Sequence, residues 1–201
     1  MLTGNLLYDC MTVYKLKNKP REFKVLEHDP YKRALDSDDL KLLRRLRRGP
    51  VDSTSLRDVW VNEYATFTQH FKSAEAIPDI SQWRTFLVLR ENAYQVVRDV
   101  IDSDGEFLPI TIDDEIFTVF NVMSFGEEDK QKIKFEDIGG EQGLLEKLAF
   151  IESDLSNKYV FKSKDEGCMS IYCDDKLISL CEEHNLKGLS FDTNLLDVFE
   201  D

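Results

Sequence analysis

No stretch of this chain approaches the roughly 20 consecutive apolar residues that a membrane-spanning helix requires, so the sequence excludes a helical membrane protein. The opening residues Met1 to Asp9 lack the basic start and apolar run of a secretory signal. The expectation is a soluble cytoplasmic protein. Histidine and cysteine are also scarce, at three and four among 201 residues. Without an export signal, Cys10, Cys168, Cys173 and Cys181 are expected to be reduced and partly buried. Cys181 and His184 sit three apart on an expected helix and Cys173 precedes them, but the paired Cys-x-x-Cys or His-x-x-x-His spacing of zinc sites is missing. No metal and no cofactor are expected. Also missing are a Gly-x-Ser-x-Gly elbow, a phosphate-cradling glycine loop, a His-Glu-x-x-His pair and a zinc-deaminase pattern. His28, His70 and His184 stand far apart, so no catalytic residue is assigned and a non-enzyme is expected.

What the chain does have is an uneven charge. Residues 1–90 carry 16 Lys+Arg against 12 Asp+Glu, whereas residues 91–201 carry 10 against 27, so the net charge of −13 resides in the second half. Asp113, Asp114 and Glu115 form one dense acidic stretch, and Glu127, Glu128 and Asp129 form another. A surface of one sign speeds encounter with a partner of the other sign. It repels nucleic acid and anionic membranes, because phosphate affinity comes from Lys and Arg that displace counterions. These six acids are the candidate partner-binding residues, as steering groups for a basic protein. A solvated acidic surface explains the same residues without a partner. The contrary feature is Arg44, Arg45, Arg47 and Arg48 at the end of an expected helix. Four such groups can hold phosphates, yet favourable alignment with the helix dipole also accounts for them.

The hydrophobic fraction of 42% and aromatic fraction of 11% suffice for a core. Thr12–Leu16 and Phe23–Leu26 are expected strands. Asp38 and Asp39 precede Leu40, Leu43 and Leu46 at helical spacing, with Gly49-Pro50 as the expected stop. Trp60, Tyr64, Phe67 and Phe71 fall at i, i+4, i+7 and i+11, which places four aromatics on one helical face. Thr85–Leu89 reads as a buried strand. Ala93, Val96, Val97, Val100 and Ile101 predict a helix over 91–101. Two apolar runs, Phe107–Ile112 and Ile116–Val122, flank an acidic turn and predict a hairpin. An acidic loop through Asp129 and a loop at Gly139-Gly140 follow. Strands are expected at Leu148–Ile151, Tyr159–Phe161 and Met169–Tyr172. A helix capped by Asp174 and Asp175, with Leu177, Ile178, Cys181 and His184 inside, precedes a last strand at Leu189–Phe191.

From residue 91 the order of motifs is similar to that of a known family. Asp104-Gly105-Glu106 closes a helix, Phe107-Leu108-Pro109-Ile110 forms a strand, and Asn121-Val122 ends the next one. Tyr159-Val160-Phe161, a short helix and Leu186-Lys187-Gly188-Leu189-Ser190-Phe191 complete the order. This resembles the C-terminal half of the immunity proteins of bacterial polymorphic-toxin systems, specifically immunity family eleven, formerly a domain of unknown function. The resemblance implies a cytoplasmic protein that binds a cognate toxin protein, many of which are basic nucleases, and blocks its active site. It supplies no catalytic residues.

The expected fold is α+β: a mixed, mainly antiparallel sheet with flanking helices in the C-terminal part, and a helical N-terminal lobe. The expected division is a lobe over 1–90 packed on an immunity-like domain over 91–201. The expected function is non-enzymatic neutralisation of a toxin. A regulatory or scaffold module that binds a basic partner is the alternative, and neither nucleic acid nor membrane is an expected partner.

Overall fold

Phe86-Leu87-Val88-Leu89 contains no polar residue because it is buried on both faces. Phe86 and Val88 enter one hydrophobic core, while Leu87 and Leu89 enter another. A strand covered on both sides reads as a continuous apolar run rather than an alternation, and this one marks the middle of the fold. The computed structural model describes residues 11–197; Cys10 lies outside the described residues.

In chain order the elements are β1 (Tyr14–Asn18), β2 (Val25–Glu27), α1 (Lys32–Asp36), α2 (Leu40–Asp52), β3 (Glu63–Thr68), β4 (Ile80–Trp83), β5 (Phe86–Leu89) and α3 (Glu91–Ile101). A single 3-10 turn, Asp102–Asp104, leads to β6 (Gly105–Ile112), β7 (Glu115–Val122), β8 (Lys134–Ile138), β9 (Glu141–Lys147) and α4 (Glu152–Leu155). β10 (Val160–Phe161), β11 (Tyr172–Cys173), α5 (Asp175–Glu183) and β12 (Leu189–Asp192) complete the order. A six-stranded sheet runs β2-β3-β6-β7-β5-β4, a four-stranded sheet runs β10-β11-β1-β12, and β8 pairs only with β9. β3 and β6 are parallel; the other named pairs are antiparallel.

Among the described residues there is no helical N-terminal lobe. Strand accounts for 34% and helix for 24%, in a nearly closed, barrel-like sheet with five short helices. Residues 11–90 contribute five strands, and both larger sheets pair strands from either side of residue 90. The aromatic stripe is the source of the error. Tyr64 and Phe67 belong to β3, where Ala65 and Phe67 turn inward and Tyr64 is 75% exposed. That is a period of two, sustained by pairing with β2 and β6. Phe71 lies in the following turn and is exposed. α2 also departs from expectation, continuing through Gly49-Pro50 to Asp52. Its start is the expected one, with the Asp39 carboxylate accepting from the Leu42 N–H.

One core lies between the four-stranded sheet, α3, α5 and one face of β5 and β7, and includes Leu16, Leu87, Leu89, Val97, Phe120 and Leu177. The second lies on the opposite face of the six-stranded sheet, around Phe67, Trp83, Phe86, Ile110 and Val119. A third, smaller cluster of Leu148, Phe150, Leu155, Phe161 and Tyr172 holds the long connection after β7. Leu148–Ile151 is not a strand there; Phe150 makes one isolated bridge to Glu128. Among the described residues no helix is long and apolar enough to cross a membrane.

The β6–β7 turn has Asp113 at φ +47 and Asp114 at φ +67, the two positive values that a type I′ hairpin demands. Glycine or asparagine meets that demand with less strain than aspartate. Asp114→Gly relieves a left-handed backbone cost of roughly 1–2 kcal/mol, offset in part by the greater freedom of glycine in the unfolded chain, so a gain of about 0.5 kcal/mol is expected, read as a higher urea midpoint at unchanged slope.

Candidate functional site

The six acidic residues do not form one patch. Asp113, Asp114 and Glu115 lie at one end of the β6–β7 hairpin, and Glu127, Glu128 and Asp129 follow its other end. Eight-residue strands at about 3.3 Å per residue separate the two groups by roughly 25 Å. Several of the six also have internal work. Asp113 accepts from the Phe67 N–H at 3.1 Å. Glu115 holds Arg90 through two bonds of 2.9 and 3.0 Å. Glu128 is buried, and its carboxylate accepts from the Ser163 hydroxyl and the N–H groups of Lys164 and Asp165. Burial pushes that carboxyl upward, but these donors outweigh it and hold it below the usual range. Asp129 pairs with Lys132 at 3.1 Å. Asp114 and Glu127 remain as exposed acids.

A more prominent acidic feature begins beside Glu127. β8 and β9 form a hairpin whose outer strand edges pair with no other named strand among the described residues. Its Gly139-Gly140 turn has φ of +65 and +91, again the type I′ requirement. The Ile151 N–H donates to the Glu127 carbonyl and the Asp129 N–H to that of Ala149, so the base of this arm is fixed to the acidic loop. Ile133 and Leu145 pack on the third core cluster. Beyond that anchorage the arm is exposed: Glu136, Asp137, Glu141 and Glu146 face solvent, with Ile138 at 59% and Leu144 at 76% exposure. Two-stranded ribbons are marginal alone in water, and apolar residues this exposed are what an interface uses as anchors.

The sequence signals for this arm were its glycine pair and acids, which read as a loop. Along the two strands only Phe135, Gly143 and Leu145 are half-buried, too sparse an alternation for periodicity to mark. The motifs that carried the family resemblance are internal supports instead. Asp104 is buried and accepts from the Tyr159 and Val160 N–H groups and the Ser124 hydroxyl. Its pKa is raised because burial outweighs those donors. Glu106 accepts from the Ser55 hydroxyl and Leu56 N–H, both at 2.6 Å, and from the Asn121 amide at 2.9 Å. At Gly105 a Cβ would stand 2.1 Å from the Asn121 carbonyl oxygen.

The cysteines are equally internal. Cys168, Cys173 and Cys181 are free and buried. Burial pushes the Cys181 thiol up to about 11, far from the thiolate that metal binding or nucleophilic attack requires. His184 is exposed at the end of α5. Among the described residues no three His, Cys, Asp or Glu side chains form a metal-binding group. The arginines of α2 are not one phosphate clamp: Arg45 bonds Ser55 and Asp58, Arg48 pairs with Asp52, and Arg47 lies over the Tyr31 ring. The chain matches no known protein-family model and no curated protein sequence.

Proposed function

We propose that this protein is an immunity-type inhibitor that binds a basic toxin domain, with the β8–β9 arm as its principal contact. The observation that carries the reading is the arm itself: an acidic ribbon with exposed Ile138 and Leu144 and two strand edges unpaired among the described residues. The order of motifs from residue 91, similar to that of immunity family eleven, agrees with it. Acids on the arm, together with Asp114 and Glu127, raise the encounter rate, while the apolar pair supplies durable affinity. Exposed ion pairs contribute only about 0–1 kcal/mol each, so charge without anchors does not hold a complex.

If the product of the adjoining gene is a basic toxin domain, its association kinetics with this chain separate these roles. Reversal of the arm by Glu136→Lys, Asp137→Lys and Glu141→Lys should slow association about tenfold at low salt, and the difference should close as salt rises. Ile138→Ala with Leu144→Ala should mainly speed dissociation. Unchanged rates in both variants would remove the arm from the interface. The unpaired edges also support a second reading, a scaffold module that takes up an extended basic peptide as a further strand. Saturable binding of such a peptide, with no inhibition of any toxin, would favour it.

A further inference from the structure

We propose that the cleft between α2 and the β4–β5 turn binds a small planar organic anion, independently of toxin binding. The cleft has a volume of about 330 Å³, and Tyr31, Arg47, Trp60, Arg84, Thr85 and Cys168 are among its lining residues. Drug-sized pockets begin near this size.

Three observations converge there. The first is unbalanced charge. Arg84 sits 4.9 Å and Arg47 5.4 Å from the centre of the same Tyr31 ring. Among the described residues Arg47 and Arg84, like Arg21 and Arg44, have no carboxylate within 4.0 Å, whereas Arg33, Arg45, Arg48, Arg57, Arg90 and Arg98 each reach one; Arg47 and Arg84 share one ring. Two guanidinium groups at one ring repel, and the chain has 39 Asp+Glu available against 26 Lys+Arg. A bound anion relieves that repulsion through charge-assisted hydrogen bonds.

The second observation is an orphan donor. Thr85 is 5% exposed, yet its Oγ1 has no hydrogen-bond partner. A buried hydroxyl left unpaired is destabilising, and rotation of the Thr85 side chain about χ1 would present it to a ligand oxygen in the cleft. The third is the wall. Trp60 and Phe86 line the cleft with their rings 6.2 Å apart, and the Trp60 indole N–H is already bonded to the Pro109 carbonyl. Apolar rings with their polar atoms satisfied suit the face of a planar ligand. Arg84 itself is held at φ +56, so a strained backbone aims this side chain across Tyr31, whose hydroxyl accepts from it at 2.8 Å.

Both tryptophans adjoin the site, since Trp83 lies under Arg84 at 5.6 Å. Their fluorescence therefore reports binding, and calorimetry on the full chain provides a second measure. The probe is benzoate, with benzamide as the uncharged ring and acetate as the ringless anion. Benzoate should bind saturably, with benzamide and acetate each roughly tenfold weaker. Arg84→Gln and Arg47→Gln, both at exposed positions, should weaken benzoate about tenfold each. Thr85→Val should weaken it roughly threefold or more. Circular dichroism should show each variant folded. Absence of saturable benzoate binding, equal binding of benzamide, or indifference to both arginine substitutions would overturn the proposal.

Discussion

Glu106→Ala should cost about 3–5 kcal/mol of stability, one of the two largest effects of single substitution that the structure implies. The carboxylate is 3% exposed and joins three separate parts of the chain. It accepts from Ser55 and Leu56 beyond the end of α2 and from Asn121 on β7, while Arg57 approaches to 3.6 Å. Truncation leaves the Leu56 N–H and Asn121 amide without an acceptor and opens a cavity beside them. Each unsatisfied buried group costs about 1–3 kcal/mol. Glu106→Gln is the informative control. Its Oε1 can still accept from Leu56 and Asn121, and its amide can donate to the Ser55 hydroxyl, so a loss of about 1–2 kcal/mol is expected. Urea unfolding of the two variants measures the difference; equal losses would show that charge, not bonding geometry, governs this site.

The second large effect depends on pH. Lys162 on the segment after β10 is fully buried. Its ammonium donates to the Pro50 carbonyl in α2 and lies 5.1 Å from the centre of the Phe125 ring, with no carboxylate in contact among the described residues. Burial lowers its pKa to about 8 from the ordinary 10.5. Below pH 8 the folded chain carries the buried charge, whereas the unfolded chain carries it in water, so this lysine opposes folding. Between pH 8 and 10.5 the unfolded state holds the proton that folded Lys162 has lost, so the contribution of this lysine to stability rises with pH. The full swing is about 3 kcal/mol at about 1.4 kcal/mol per pKa unit. Lys162→Met retains the length and apolar stem but removes the charge. The stability of the wild-type protein relative to this variant should therefore increase through that window. A difference independent of pH would show that the ammonium is paired or solvated.

Parts of this architecture were legible from residues alone. α3 spans Glu91–Ile101 as predicted, because Ala93, Val97 and Ile101 repeat at helical spacing and all face the core. The β6–β7 hairpin was equally plain, since its two strands are apolar and only two residues, Asp113 and Asp114, separate their paired ends. Gly188 lies between the expected last helix and last strand, at φ +128, with a Cβ only 2.2 Å from the Ile80 carbonyl oxygen if one were present. Failure came where spacing is ambiguous or uninformative. The aromatics from Trp60 to Phe71 match a helix by count, but β3 has partners on both sides, and pairing prevailed over a periodicity of four residues. The acidic residues could be found in sequence, but their separation and internal bonds could not. Glu115 and Glu128 are consumed by Arg90 and the Ser163 loop, which only tertiary contacts reveal. The Arg47–Arg84 cleft was hidden for the same reason: its residues come from a helix and a distant β turn, and no local pattern unites them.

Survival is the most direct measure of the proposed function. The product of the adjoining gene is expressed in a test host, alone or together with this chain, and killing is scored. Rescue by the wild-type chain and a complex that co-purifies are expected, with both lost when Glu136, Asp137 and Glu141 are reversed to lysine. Killing that proceeds regardless of the wild-type chain would contradict the account.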